Sequence, residues 1–96
     1  MAANRSYFHV VKADIKKYQP KRQFDFVAAN LITEDLIANG RKIISLVKEG
    51  GVLAVSGISL DNLERLRNAF LSFPLKCLKI SKGKQWSGIL YQKMMS

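Results

Sequence analysis

The segment FDFVAANLITEDL, Phe24 to Leu36, is apolar almost throughout until it reaches Asn30, and it turns amphipathic immediately afterwards. A nearly continuous apolar run of this length is typical of a strand in a parallel sheet that is covered on both faces. Thr33 is placed to cap a following helix, with Glu34 and Asp35 in the first turn, where the helix dipole favours acidic side chains. The segment therefore predicts a strand that ends at an amide and passes directly into a helix.

The next part of the chain predicts a second strand and a second helix. Apolar residues recur at helical spacing after Thr33, and VKEGG (Val47 to Gly51) predicts the end of that first helix. Val52 to Val55 predicts a short strand, Ser59 is expected to cap the next helix, and Pro74 to end it. One face of this helix is apolar through Leu60, Leu63, Leu66 and Phe70.

Three further segments have the β-branched and aromatic content of strands: Tyr7 to Val11, Leu75 to Ile80 and Trp86 to Gln92. A short link at residues 81–84 suits a hairpin between the last two. The order β, β, α, β, α, β, β predicts an α/β fold with a mostly parallel sheet and an antiparallel C-terminal hairpin. With 96 residues, the chain is expected to form a single domain, residues 1–96.

The composition excludes several classes of protein and of site. No window approaches the roughly 20 apolar residues of a membrane span, and no segment resembles a signal peptide, so we expect no membrane contact and a cytoplasmic location. Cys77 and His9 are the only cysteine and histidine, which excludes an internal disulfide and a cysteine-clustered zinc site. We expect no metal site, with His9 half-buried in a strand and Cys77 acting as a small hydrophobic residue in a late strand.

The net charge of +9 is unevenly distributed along the chain. Six basic residues precede Phe24 against one acid, and seven lie from Arg65 onward with no acid among them. This balance favours encounter with polyanions such as RNA, and a solvated basic face is the alternative explanation. The basic residues are not interleaved with aromatic residues that could form a stacking platform, so sequence-specific RNA recognition is not indicated.

Four short motifs mark the ends of the predicted elements: FDFVAANLI (Phe24 to Ile32), VKEGG (Val47 to Gly51), SGI (Ser56 to Ile58) and KQW (Lys84 to Trp86). From about His9 onward the chain thereby resembles the second half of a class I S-adenosylmethionine-dependent methyltransferase, and the ribosomal protein L11 methyltransferase family most closely. The resemblance implies a partial Rossmann-like sheet that lacks the family's first two strands. Those strands carry the glycine-rich cofactor loop and a ribose-binding acid, and no GxGxG-like segment occurs in this chain.

The resemblance also implies a site at the carboxyl ends of the strands, where open α/β sheets bind ligands. Asn30 matches a strand-end asparagine that lies against the cofactor and the target amine in this family. Its side-chain oxygen can accept the amine's hydrogens and orient the nitrogen lone pair without adding charge. The alternative is that Asn30 only stabilises the turn from strand to helix. The cofactor-binding positions implied for S-adenosylmethionine are Asp14, Asn30, Leu31, Ser56 and Gly57.

Two of the singled-out residues have alternative explanations. Asp14 matches an acid that lies near the adenine amino group in related methyltransferases, or it is a solvated turn residue between Lys12 and Lys16. Trp86 either packs over the site or fills the edge of the core, and the core is the expectation that we adopt.

Three functions remain open from the sequence. The first is a methyltransferase of protein amines, with a ribosomal protein as substrate. Because the glycine-rich loop is missing, we expect this incomplete catalytic domain to be inactive alone. The second is a basic, non-catalytic binding module, which contacts RNA, a partner chain that supplies the front half, or another copy through an open edge beside Phe24 to Ala29. The third is a non-functional product of a truncated or split reading frame.

Overall fold

The computed structural model describes the backbone of residues 8–11 and all of residues 23–95. Within this part of the chain, the strands are β1 (Phe8–Val11), β2 (Phe24–Asn30), β3 (Val47–Ser59), β4 (Leu75–Lys82) and β5 (Trp86–Lys93). The helices are α1 (Thr33–Ala38), α2 (Gly40–Ser45) and α3 (Leu63–Phe70), with a 3-10 turn at Leu60–Asn62. The sheet order is β1-β2-β3-β5-β4, with β1, β2 and β3 parallel and β5 antiparallel to both of its neighbours.

This mixed sheet with helical crossovers confirms the predicted α/β class and the partial Rossmann-like architecture. The parallel pairing of β2 with β3 follows from their connection through α1 and α2, because a crossover through a helix returns the chain in the same direction. The antiparallel hairpin was also predicted. It joins the sheet through β5, so the chain leaves α3, forms the edge strand β4 and then returns between β4 and β3.

Burial alternates along β2 instead of being continuous. Val27 and Ala29 are buried, whereas Phe26 and Ala28 are only half-buried. Since successive side chains of a strand point to opposite faces, the two buried residues share one face, and they join the helical side chains in a single core. The prediction of a strand covered on both faces is therefore met in full by one face only, while Phe26 and Ala28 are half-buried on the other.

The predicted first helix is divided into α1 and α2 at Asn39. The backbone of Asn39 leaves the helical region at φ −111° and ψ 14°, and its side-chain amide donates to the Asp35 carbonyl oxygen at 2.9 Å. Gly40 then begins α2 against the aromatic rings of Phe70 and Phe73, which a Cβ at this position would approach to 3.2 Å and 3.1 Å. In residues 23–95 no helix is long and apolar enough to cross a membrane.

The VKEGG segment lies in β3 and does not end a helix, because α2 has already ended at Ser45. Pairing of β2 with β3 runs from Phe24↔Val47 directly to Phe26↔Val52, which leaves residues 48–51 opposite a single residue of β2. Gly51 lies so close to the β2 backbone that a Cβ there would be 2.9 Å from the Asp25 carbonyl oxygen. The glycines are needed for this irregular strand pairing.

The edge of β2 that the sequence predicted to be open is occupied. β1 pairs in parallel with β2, from Phe8↔Phe26 to Val11↔Ala29. This edge is therefore not open, and the pairing of a partner chain or a second copy with an edge of the sheet stays a prediction.

The hairpin differs from prediction in the length of its link and in the environments of two side chains, Trp86 and Cys77. The link shortens to residues 83–85, and Trp86 is 59% exposed, so the expectation that it fills the core edge is wrong. Cys77 lies in a late strand as predicted, but its side chain is exposed. His9 and Cys77 lie on β1 and β4 at opposite edges of the sheet, about 19 Å apart by strand spacing, which excludes a catalytic pair between them.

Two long basic side chains connect segments that are distant in sequence. Lys93 donates to the carbonyl oxygens of Ile44 and Val47 at 3.1 and 2.9 Å, and so connects β5 with the end of α2 and the start of β3. Arg65 of α3 donates to Glu34 of α1 at 2.9 Å. This hydrogen bond lowers the pKa of the Glu34 carboxyl, and because both groups are solvent-exposed its contribution to stability is small.

We predict that the core of this domain depends on α3. Leu66 is fully buried, and Leu66→Ala should lower the free energy of unfolding by roughly 2–5 kcal/mol, because it removes apolar contacts and leaves a cavity. Leu71→Ala is the matched control, since Leu71 is 77% exposed at the end of the same helix. Urea unfolding measures both variants, and equal losses of stability in the two would contradict the assignment of the core.

Candidate functional site at the carboxyl edge of the sheet

The carboxyl ends of β2 and β3 lie side by side. In the parallel register Asn30 is the partner of Ser56, so the last residue of β2 meets β3 where the SGI motif begins. β5 runs in the opposite direction and starts at this same edge, where Trp86 is the partner of Ser59. The register thus brings the NLI, SGI and KQW motifs to one edge of the sheet.

Gly57 is the centre of this edge because of its conformation and its contacts. It has φ 78°, a left-handed conformation that favours glycine, and it lies where the register of β3 with β5 shifts between Ser56 and Ile58. The buried Ser87 hydroxyl donates to the Ile58 carbonyl oxygen at 3.0 Å, just beyond this bulge. This hydrogen bond from β5 stabilises the bulge in β3.

Two oxygen atoms lie around the space that the absent side chain of Gly57 leaves. A Cβ on Gly57 would be 2.5 Å from Asn30 Oδ1 and 4.0 Å from the Leu31 carbonyl oxygen. The Asn30 side chain is exposed to solvent, while Leu31 is buried and offers its backbone oxygen. Both oxygens are uncharged hydrogen-bond acceptors, which suits a ligand that presents N–H groups.

The structure therefore brings together four of the five cofactor-binding residues implied by the resemblance: Asn30, Leu31, Ser56 and Gly57. Asp14 lies outside the described residues, and its role stays a prediction. Their proximity is a consequence of strand register, because all four lie at the carboxyl ends of two adjacent parallel strands.

A shallow pocket beside this edge was not predicted. It measures about 380 Å³ and is lined by Ser59, Leu60 and Asp61 on one side and by Lys84, Gln85 and Trp86 on the other. The Leu60 amide donates to the Gln85 carbonyl oxygen at 3.0 Å and fixes the two sides relative to each other. The KQW motif is the feature of the sequence that could have indicated this pocket. Its position opposite Ser59, however, depends on the non-local pairing of β5 with β3.

Residues 23–95 contain no group of three or more histidine, cysteine, aspartate and glutamate side chains arranged to bind a metal ion. The acceptors at the edge, from Asn30 and Leu31, are uncharged, and Asp61 and Lys84 are the charged residues of the adjoining pocket.

Comparison with known proteins gives matches in both sequence and structure. The family described as ribosomal protein L11 methyltransferase (PrmA) matches residues 2–94. The ribosomal protein L11 methyltransferase of Geobacter metallireducens is 33% identical over 70 residues, which are 73% of this chain and 23% of that protein. This chain therefore spans about a quarter of the length of that curated relative.

Two solved structures share the fold. The ribosomal protein L11 methylase of Lactobacillus delbrueckii subsp. bulgaricus superimposes with a TM-score of 0.72 at 21% identity, over 78% of this chain and 39% of that one. The O-methyltransferase of Bacillus cereus, solved in complex with SAH, gives a TM-score of 0.54 at 15% identity, over 84% of this chain and 44% of that one.

We predict that Gly57 keeps Asn30 in position. Gly57→Ala combines a left-handed backbone with a collision against Asn30 Oδ1, so it should displace the Asn30 side chain and shift its amide resonances in a 1H–15N spectrum. Gly50→Ala is the matched control, because Gly50 has a similar φ of 83° but no atom within 4 Å of its Cβ position. Each variant should lose about 1 kcal/mol from backbone strain. Equal shifts of the Asn30 resonances in both would contradict this positioning.

Proposed function

Because the chain belongs to the ribosomal protein L11 methyltransferase family, we propose that it forms the amine-positioning part of a catalytic domain that methylates amines of a ribosomal protein. The methyl donor that we propose is S-adenosylmethionine, which the family name and the SAH complex of the Bacillus cereus O-methyltransferase support. The observation that carries this function is the convergence of Asn30 Oδ1 and the Leu31 carbonyl oxygen around Gly57.

The residues at the edge have roles that follow from their chemistry. S-adenosylmethionine, when bound, supplies an electrophilic methyl group on a sulfonium sulfur. Gly57 has no side chain to displace Asn30 Oδ1, which lies beside the Leu31 carbonyl oxygen, and Ser56 is the strand partner of Asn30. These residues fit a cofactor that lies against the carboxyl edge, and we assign its contacts to Asn30, Leu31, Ser56 and Gly57, with Asp14 as a further proposed contact.

Asn30 would act on the amine nucleophile. A neutral amine has the lone pair that attacks a methyl group, and an ammonium ion does not. Asn30 Oδ1 and the Leu31 carbonyl oxygen can each accept one amine hydrogen, which directs the lone pair away from both acceptors. Because the Asn30 amide is uncharged, it orients the amine without stabilising the ammonium form. A carboxylate in the same place would stabilise that form.

We also propose that the chain alone is not a complete catalyst. Its sequence contains no GxGxG-like segment to hold the far end of the cofactor, and it matches only 23% of the Geobacter relative. Each polar contact that is not made removes on the order of 1–3 kcal/mol of binding free energy. Two or three such losses would cancel most of a micromolar affinity, which corresponds to about 8 kcal/mol.

We predict that the purified chain neither methylates a ribosomal protein nor binds S-adenosylmethionine at micromolar concentration. Isothermal titration and transfer of a labelled methyl group measure the two properties. The Asn30→Ala variant is titrated in parallel, because any heat that arises at the carboxyl edge should decrease in it. Turnover by the chain alone, or micromolar binding that Asn30→Ala weakens, would contradict its incompleteness.

The role of Asn30 is tested separately in a chimera, in which this chain replaces the matching segment of the Geobacter metallireducens methyltransferase. We expect the chimera to methylate ribosomal protein L11, and Asn30→Ala to lower kcat by at least about tenfold because the amine is no longer oriented. Asn30→Asp should also shift the pH profile of kcat to higher pH, because the carboxylate raises the pKa of the amine. Leu71→Ala is the surface control.

An active chimera whose kcat is unchanged by both Asn30 substitutions would contradict the proposed role. This result is distinguishable from the incompleteness of the single chain, since the chimera supplies the remaining length.

The alternative function, a basic binding module, is supported by one feature of the sheet. β4 is an edge strand, and its lysines Lys76, Lys79 and Lys82 are all exposed. RNA affinity that falls steeply as salt increases would favour this alternative, because release of counterions from the phosphates dominates such binding.

A further inference from the structure

A second pocket lies on the helical side of the sheet, away from the carboxyl edge. It measures about 290 Å³, and α3 forms one wall while β4 and β5 form the other. Its apolar lining comes from Phe70, Leu71, Leu75 and the ring of Tyr91. Tyr91 lies five residues along β5 from Trp86, roughly 17 Å from the methyl-transfer edge, so the two pockets are separate.

Tyr91 is a buried residue whose hydroxyl has no hydrogen-bond partner in the part of the chain that the structure describes. The residue is only 6% exposed, its ring stacks on Phe70 with centroids 5.8 Å apart, and no group in residues 23–95 forms a hydrogen bond with its hydroxyl. Burial raises the pKa of Tyr91 to about 12, with smaller electrostatic effects from Cys77 and Arg67, which opposes the rise. Tyr91, Cys77 and Arg67 all line the pocket, and the Tyr91 hydroxyl remains a donor at neutral pH.

A buried hydroxyl without a partner is unfavourable, and a ligand that accepts its hydrogen bond removes the penalty. Arg67 lies in the same lining and uses one guanidinium nitrogen for Glu64, at 3.2 Å. A guanidinium carries five N–H donors, so this ion pair leaves donors for a ligand. Asn68 adds an amide, and Glu64 is the pocket's single carboxylate.

We propose that this pocket binds a small organic monocarboxylate with an apolar aliphatic or aromatic body. Its carboxylate accepts hydrogen bonds from the Tyr91 hydroxyl and the Arg67 guanidinium, and its apolar body packs against Phe70, Leu71 and Leu75. The combination of hydrogen-bond donors at one end with apolar walls selects an amphiphilic anion over a neutral ligand or a multiply charged one. The pocket's size limits the ligand to a small molecule.

The probe is 4-fluorobenzoate, with 4-fluorobenzamide as its neutral counterpart of the same shape. Fluorine NMR of the full chain follows binding, and the amide signals of Phe70 and Tyr91 in a 1H–15N spectrum locate it. We expect saturable binding of the carboxylate and much weaker binding of the amide. Occupancy should also slow the alkylation of Cys77 by iodoacetamide, because Cys77 lines the same pocket.

Tyr91→Phe is the decisive variant, since it keeps the ring that stacks on Phe70 and removes only the hydroxyl. It should raise the Kd for 4-fluorobenzoate on the order of tenfold, and Arg67→Gln should do the same, because each removes one hydrogen bond to a charged group. Lys84→Gln, which removes a cation at the other pocket, should leave the Kd unchanged. The 1H–15N spectrum of each variant checks that it is folded, and Arg67→Lys replaces Arg67→Gln if the latter is not.

Three results would overturn the proposed site. These are no saturable binding of 4-fluorobenzoate, equal binding of the amide, or a Kd that neither Tyr91→Phe nor an Arg67 variant changes. Equal weakening by Lys84→Gln would also overturn it, because non-specific attraction to a chain of net charge +9 would then explain the binding.

Discussion

The parallel register of β2 with β3 is the constraint on which the rest of the structure depends. It pairs Val27 with Leu53 and Ala29 with Val55, and all four are buried under the helices. Because side chains alternate with a period of two, a slip by one residue would turn the buried set of one strand to the opposite face and open the core. The same register sets Asn30 beside Ser56, so the free energy that forms the core also positions the candidate site.

The sheet departs from regular pairing at two places in β3, and each depends on a glycine. Residues 48–51 form an irregular stretch opposite Asp25, where Gly51 allows the two backbones to approach. At the other end of the strand, Gly57 forms the bulge against β5 that leaves room for Asn30 Oδ1. The regular part between them is short and apolar, which is why the sequence pattern there resembled a brief strand rather than a long one.

Local pattern was sufficient to predict the class of fold, the apolar face of α3 and the position of Asn30 at a strand end. Features decided by distant contacts were not predictable in this way. The division of the first helix at Asn39 accompanies the packing of Gly40 on two phenylalanine rings, and the exposure of Trp86 follows from its place opposite Ser59. The partner of β1 was unknown from sequence because several edges were available to it. Alternation indicates that Tyr91 is buried, but it gives no information about the partner of its hydroxyl.

The two candidate sites differ in ligand because their local groups differ, although both belong to a strongly basic chain. Screening limits the effect of surface charges to roughly 8 Å at physiological ionic strength, so the net charge does not determine which ligand each site binds. At the carboxyl edge, the Asn30 and Leu31 oxygens beside Gly57 are uncharged acceptors, and Asp61 and Lys84 in the adjoining pocket are opposite in charge. This edge therefore suits the proposed amine substrate, because uncharged acceptors give no strong preference for its protonated form. At the second pocket, the Tyr91 hydroxyl and the remaining N–H groups of Arg67 are hydrogen-bond donors, and Glu64 is already paired with Arg67. Donors without acceptors favour an anionic ligand there.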